Sequence, residues 1–325
     1  MNVTQPSSDP LQATVLVTGG AGFIGHHLVR RLLDDGRTVR VVDDLSTGDL
    51  ARLAPVLDRI EFVEGSIAEP EVSTAVCRDV GIVFHLAAIP SVARSVADPV
   101  GTHRANLTGT LVLLEEARRV GVHRLVYAGS SSAYGNTPEL PKRESQTPNP
   151  MSPYAVSKLA GELYCRVYAH LHELETVVLR YFNVFGPGQD PKSLYSAVIP
   201  IFITRALAGE APTIYGDGEQ TRDFTYVDNV VEANLLAAGG PSASVSGKVF
   251  NVGCGDRISV NTLWEEIRSL TGASVEARYG PVRPGDVRHS LAELTAIRGA
   301  LGYRGEIGLR EGLRRTVEWF RGEAS

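Results

Sequence analysis

Eight residues near the amino end, Thr18-Gly19-Gly20-Ala21-Gly22-Phe23-Ile24-Gly25, limit the possible folds more than any other part of the 325-residue chain. They follow a short β-rich run, Thr14–Thr18, and open a helical pattern in which Ile24, Leu28 and Leu32 recur every four residues. Two glycine registers coexist: GxGxxG over Gly20, Gly22 and Gly25, and GxxGxxG over Gly19, Gly22 and Gly25. A strand that turns through glycines straight into a helix leaves backbone N–H groups bare at the helix N-terminus, where a pyrophosphate binds. An acid, Asp43, follows 18 residues after Gly25, at the end of a second apolar run over 39–42. A carboxylate there accepts hydrogen bonds from a ribose diol and repels a 2′-phosphate. The run Asp43-Asp44-Leu45-Ser46-Thr47-Gly48 contains no arginine. The pattern predicts a dinucleotide site that prefers NAD to NADP.

Further apolar runs of strand length lie at 60–63, 82–86, 124–128 and 177–181, and helical patterns lie around 49–57, 101–120 and 153–170. Strands alternating with amphipathic helices argue for parallel βαβ units and an α/β, doubly wound parallel sheet of the Rossmann type. Beyond residue 181 glycine and proline are frequent, and helix-like segments appear at 225–238, 259–271 and 309–320. The expected organisation is a disordered lead over 1–12 and a dinucleotide-binding domain over 13–180, to which 225–253 returns. A second, smaller substrate-binding domain is expected over 181–325. With 32 basic and 37 acidic residues the chain carries a net charge of −5, which weighs against a nucleic-acid partner. No apolar run reaches the length of a membrane helix. Cys77, Cys165 and Cys254 are odd in number and far apart, as free thiols of a cytoplasmic protein would be, and no Cys/His cluster suggests a metal.

Tyr154-Ala-Val-Ser-Lys158 places a phenol and an ammonium one helical turn apart, behind a helix start at Ser152-Pro153. A phenol is a poor base at neutral pH. A neighbouring ammonium and a cationic cofactor ring together can supply the ~4 kcal/mol that brings it into range. Upstream, Ser130-Ser131-Ser132-Ala133-Tyr134-Gly135 follows a strand, so its hydroxyls are expected at the ligand-facing end of the sheet. Ser131, 23 residues before Tyr154, is the hydroxyl expected to polarise a substrate carbinol, with Ser130 beside it.

Together these features resemble the extended short-chain dehydrogenases/reductases, the NAD-dependent nucleotide-sugar epimerases and dehydratases. The carriers are TGGAGFIG (18–25), VVDDLSTG (41–48), HLAA (85–88), NLTGT with Asn106, SSSAYG (130–135), YAVSK (154–158), RYFNVFGPGQ (180–189), GDGEQTRDFTYVDN (216–229) and RPGDVRHS (283–290). The resemblance covers nearly the whole chain. One departure is visible: Gly65-Ser66-Ile67 replaces the usual glycine-acid pair after the third strand. The resemblance implies that Tyr154 takes a proton from a sugar hydroxyl while Lys158 holds the nicotinamide ribose. It implies cofactor contacts from Gly19, Gly22, Phe23, Ile24, Gly25, Asp43, Asp44, Ser46, Thr47, Gly48, Ser66, Ile67, Leu86, Ala87, Ala88, Asn106, Tyr154, Lys158 and Tyr181. For the sugar nucleotide it implies Ser91, Ser131, Ser132, Asn183, Ala197, Val198, Tyr215, Arg222, Arg288 and Ser290, with the two arginines on the diphosphate.

Within the family, elimination and decarboxylation use an acid or base next to the serine turn, and Ser131-Ser132-Ala133 supplies none. The resemblance therefore implies a UDP-hexose 4-epimerase working through a transient 4-keto sugar. The resemblance implies that the small Ser290 leaves room for a 2-acetamido group, a feature shared with UDP-glucuronate epimerases. Many of the latter carry Thr and Arg where this chain has Asn183 and Asp190, which ranks UDP-GlcNAc/GalNAc with UDP-Glc/Gal first and UDP-glucuronate second. A nucleotide-sugar 4,6-dehydratase and a non-catalytic NAD-sensing regulator are the remaining alternatives. The resemblance also implies a homodimer, joined through the helices near 101–120 and 153–170.

Overall fold

The computed structural model describes residues 13–191, 198–282 and 287–323. The expected lead over 1–12 and the candidate Ala197 lie outside them. Five strands arrive in the order read from the apolar runs: β1 (Thr14–Thr18), β2 (Val39–Asp43), β3 (Ile60–Glu64), β4 (Val80–His85) and β5 (Arg124–Ser130). β6 (Glu175–Tyr181) follows, and β11 (Lys248–Val252) returns much later to the same sheet. The order across the sheet is β3-β2-β1-β4-β5-β6-β11, and every neighbouring pair is parallel. β1 lies between β2 and β4, with Val17 opposite Val41 on one side and Phe84 on the other. The chain's direction of progress across the sheet reverses at this point, which opens a crevice at the carboxyl ends of the strands. β4 is buried at all six positions, because helices cover both faces of a parallel sheet.

Helix α1 (Phe23–Asp34) starts at the glycine turn. The helices α2 (Pro70–Cys77), α3 (Val92–Ala97), α4 (Pro99–His103), α5 (Gly109–Val120) and α6 (Pro153–Leu171) follow in order. Two expected helices differ in detail. The 49–57 stretch is a 3₁₀ helix, Leu50–Arg59, that accommodates Pro55. The 101–120 stretch is interrupted by a π turn, Arg104–Thr108, between α4 and α5. Asn106 sits in that wider turn. Its Oδ1 accepts from Ile89 N at 2.7 Å and its Nδ2 donates to Ser157 Oγ at 3.1 Å. The turn therefore ties the loop after β4 to α6. A second tie runs through buried His85, whose ring nitrogens meet Thr18 Oγ1 at 2.9 Å and Thr110 Oγ1 at 2.8 Å.

Beyond β6 the architecture changes. Strands of two or three residues, β7 (Val184–Phe185), β8 (Thr213–Tyr215), β9 (Thr221–Arg222) and β10 (Thr225–Tyr226), form small separate pairs. With α7 (Val198–Leu207), α8 (Val227–Gly239), helix Val260–Thr271 and the closing helix Leu309–Glu323 they build the second half. A separate apolar core, with Phe185, Phe202, Trp264 and Leu313, lies beneath them. α8 packs back on α1, β5 and β6.

Candidate active site

The carboxyl ends of β1, β2, β4, β5 and β6 border a cleft of about 980 Å³. A smaller cavity of about 240 Å³ adjoins it and shares Asn183, Val184 and Arg222 as walls.

The glycine turn forms one end of the cleft. Gly19 has φ +70°, and a Cβ there would lie 2.7 Å from Ala87 N. A Cβ on Gly25 would run into Gly19 O. Gly19 and Gly25 thus admit no side chain, and backbone N–H groups of the first turn of α1 stay bare, as a pyrophosphate requires. Asp43 receives Ala21 N and Leu45 N, each at 2.9 Å, and burial pushes its carboxyl above the ordinary value. The residues present therefore fit a dinucleotide. Gly19, Gly22, Phe23, Ile24, Gly25, Asp43, Asp44, Ser46, Thr47, Ser66, Ile67, Leu86, Ala87 and Ala88 all line the cleft. Two of the expected cofactor residues do not line it. Gly48 packs behind Asp43, where a Cβ would meet Oδ1 at 2.6 Å. Asn106 is buried and acts through Ile89 and Ser157.

Farther along, Tyr154 and Lys158 face the cleft from the first turns of α6. Ser152 caps this helix by accepting from Ala155 N at 3.1 Å, with Pro153 in its first turn. Lys158 Nζ donates to Ala128 O at 2.9 Å, and burial draws its pKa down to about 8. Burial raises the Tyr154 phenol, and a hydrogen bond from Ser130 partly offsets this. In the protein alone, then, burial outweighs the effect expected from a neighbouring ammonium. Ser130, Ser131 and Ser132 all line the cleft, and Ser130 Oγ lies 2.8 Å from Ser132 Oγ. Tyr181 lines the cleft and meets Asn234 Oδ1 at 3.0 Å.

The opposite wall comes from the second half. Asn183, at φ +21°, donates from Nδ2 to Asp223 O at 2.9 Å and to Ser290 Oγ at 3.3 Å. Ser290, Ser132 and Ser91 line the cleft, and Ser91 also caps α3 through Arg94 N. Val198 and Tyr215 line the smaller cavity with Phe185 and Phe202. Arg222 reaches both cavities, but Arg288 reaches neither. Its exposed guanidinium forms a two-point ion pair with Asp217 at 2.9 and 2.8 Å. The cleft further recruits Arg52, Arg94, Lys142 and Gln189. Gln189 ends the RYFNVFGPGQ run, whereas no such motif marks Arg52, Arg94 or Lys142, which reach the cleft through tertiary packing.

The chain matches the model of the NAD dependent epimerase/dehydratase family over residues 15–253. It is 42% identical to a UDP-glucose 4-epimerase of Mycolicibacterium smegmatis, over 95% of this chain and 99% of that protein. A crystal structure of the UDP-glucose 4-epimerase of Thermotoga maritima with UDP-glucose superimposes with a TM-score of 0.92 at 41% identity, covering 96% of this chain and 100% of that one. A UDP-N-acetylglucosamine 4-epimerase of Methanobrevibacter ruminantium, in complex with UDP-N-acetylmuramic acid, gives a TM-score of 0.88 at 37% identity, covering 96% and 99%.

Proposed function

Because the chain belongs to the NAD dependent epimerase/dehydratase family, we propose that it is a UDP-sugar 4-epimerase acting on UDP-GlcNAc/GalNAc and UDP-Glc/Gal. The observation that carries this reading is the Tyr154 phenol, which opens on the cleft with Lys158 and beside a serine turn without a carboxylate. Elimination and decarboxylation have no second acid or base at that turn. Inversion at C4 needs only one group that takes and returns a proton.

Bound NAD supplies a reversible hydride acceptor, so that a C4 carbinol can become a ketone and be restored on either face. Tyr154 Oη takes the carbinol proton and later returns it. The Ser130 hydroxyl donates to the phenolate and stabilises it. Lys158 would hold the cofactor ribose and add positive charge to the site, Asp43 would accept from the adenosine ribose, and Tyr181 would lie on the nicotinamide side of the cleft. The smaller cavity, walled by Phe185, Phe202 and Tyr215, takes the uracil, and Arg222 bridges to the diphosphate.

Ser290 is small where the sugar lies, which supports an acetamido substituent. Asp190 on the cleft wall disfavours a carboxylated sugar by like charge. The three free cysteines suit a reducing cytoplasm. Chromatography of UDP-GlcNAc, UDP-Glc and UDP-glucuronate after incubation with the protein tests the reading. Epimers of the first two are expected. Sole conversion of UDP-glucuronate contradicts the substrate reading, and a product of altered mass contradicts the reaction.

The protein acts as a homodimer in this reading. Val156, Leu163, Val167 and Leu171 form an exposed apolar stripe along α6, and the adjoining α3 and α4 add Val92, Val96 and Val100. The stripe follows α6 and α3–α4, and none of the large exposed apolar side chains lies within 101–120. Light scattering is expected to give a dimer for the unaltered chain and a monomer for Leu163→Arg.

A further inference from the structure

Residues 186–190, which follow β7, and the glycine turn belong to opposite halves of the cleft, yet one small set of side chains holds both. His27 Nε2 donates to Pro187 O at 2.8 Å. Arg52 donates from Nε to Gly188 O at 3.3 Å and from Nη1 to Ala21 O at 3.1 Å. His26 donates from Nδ1 to Gly22 O at 3.0 Å. Its ring also packs on Gly188, which has φ +78° and where a Cβ would lie 2.9 Å from Cε1. Burial keeps both histidines neutral, which suits rings that donate one hydrogen bond to a carbonyl.

The geometry bears on binding. A trans peptide is planar, so a carbonyl held on one side aims its N–H to the other. The carbonyl of Gly22 receives both the backbone N–H of His26 at 3.2 Å and its ring Nδ1, which keeps the Phe23 N–H turned away from that side. Phe23 lines the cleft, and its N–H is among the donors that the first turn of α1 cannot satisfy internally. On the other side of the strap, Gln189 and Asp190 directly follow the held carbonyls and line the cleft themselves. A shift of the substrate-side loop is therefore transmitted through Arg52, His27 and His26 to the backbone that cradles the cofactor.

We propose that Arg52 and His27 are positioning residues that couple occupancy of the sugar-nucleotide wall to the grip of the glycine turn on NAD. The proposal rests on the assignment of a sugar nucleotide to this cleft. Coupling between two sites is reciprocal and amounts to about fivefold or more where it is functional. A side chain that only touches the cofactor would change NAD affinity equally with and without the second ligand. A coupling side chain changes the ratio.

Equilibrium dialysis of the whole protein against NAD, with and without saturating UDP, reads that ratio. In the unaltered protein UDP is expected to tighten NAD binding about fivefold, and NAD to tighten UDP binding by the same factor. In Arg52→Ala and His27→Phe the ratio is expected to fall below about twofold. Arg52→Lys keeps the charge but cannot span both carbonyls, and is expected to lose most of the ratio while preserving the fold. It carries the test should Arg52→Ala not fold. An undiminished ratio in a folded Arg52→Lys and His27→Phe overturns the proposal. So does UDP that binds the unaltered protein without changing its affinity for NAD. Failure of UDP to bind removes the sugar-nucleotide reading, and the coupling with it.

Discussion

The two sides of the cleft are built on different principles. The cofactor side is a floor of parallel strand ends, whose glycine turn and ribose acid are held by bonds that are short in sequence. Asp43 receives Leu45 N two residues away and Ala21 N 22 residues away. The sugar-nucleotide side is a wall assembled from distant segments. Asn183 bonds across 40 residues to Asp223 and across 107 to Ser290, and β9 pairs with Ile258–Ser259. A floor of this kind is fixed by patterns within one βαβ unit. A wall of this kind exists only once the whole chain has folded. Catalysis needs both.

Replacing the base where floor and wall meet should have the largest effect. Tyr154→Phe is expected to lower kcat about a thousandfold while NAD affinity changes little. Equal losses in kcat and cofactor binding would erase the distinction between floor and chemistry. Next come the two wall arginines that the sequence ranks together and the structure separates. Arg222→Ala should raise KM for a UDP-sugar by ten- to a hundredfold, through loss of charge-assisted bonds. Arg288→Ala should change KM less than about threefold, since its guanidinium is exposed and occupied by Asp217. Steady-state kinetics on the two variants checks the order, and the reverse order would place Arg288, not Arg222, on the substrate. A smaller effect concerns pH on the floor. Burial draws Lys158 down to about 8, so its ammonium is present below that pH and lost above it. kcat/KM should fall about fivefold between pH 8 and pH 9, as a single ionisation requires. A flat profile over that interval would show that the charge of Lys158 does not support the phenolate.

The same contrast explains what the sequence discloses. The sheet and its affinity for NAD are legible because apolar runs alternate with amphipathic helices and glycines fall at a strand–helix junction. The break of the 101–120 helix at Asn106 is not legible, because the π turn answers to Ile89 and Ser157, which lie outside the segment. Spacing singles out Ser131, and the end of β5 presents Ser130, Ser131 and Ser132 together on the cleft. Arg288 belongs to a recognisable motif, but its pairing with Asp217 is one that only the tertiary fold creates. Arg52 and His27 carry no motif of their own, and their meeting with Pro187 and Gly188 spans more than 130 residues.

The central claim is that C4 is oxidised and restored within the cleft, with Tyr154 handling only the hydroxyl proton. Incubating the protein with UDP-GlcNAc in deuterium oxide and examining the 4-epimer by mass and NMR tests this directly. The account predicts UDP-GalNAc with the original hydrogen still on C4. Solvent deuterium at C4, or no 4-epimer from any UDP-sugar offered, would contradict it.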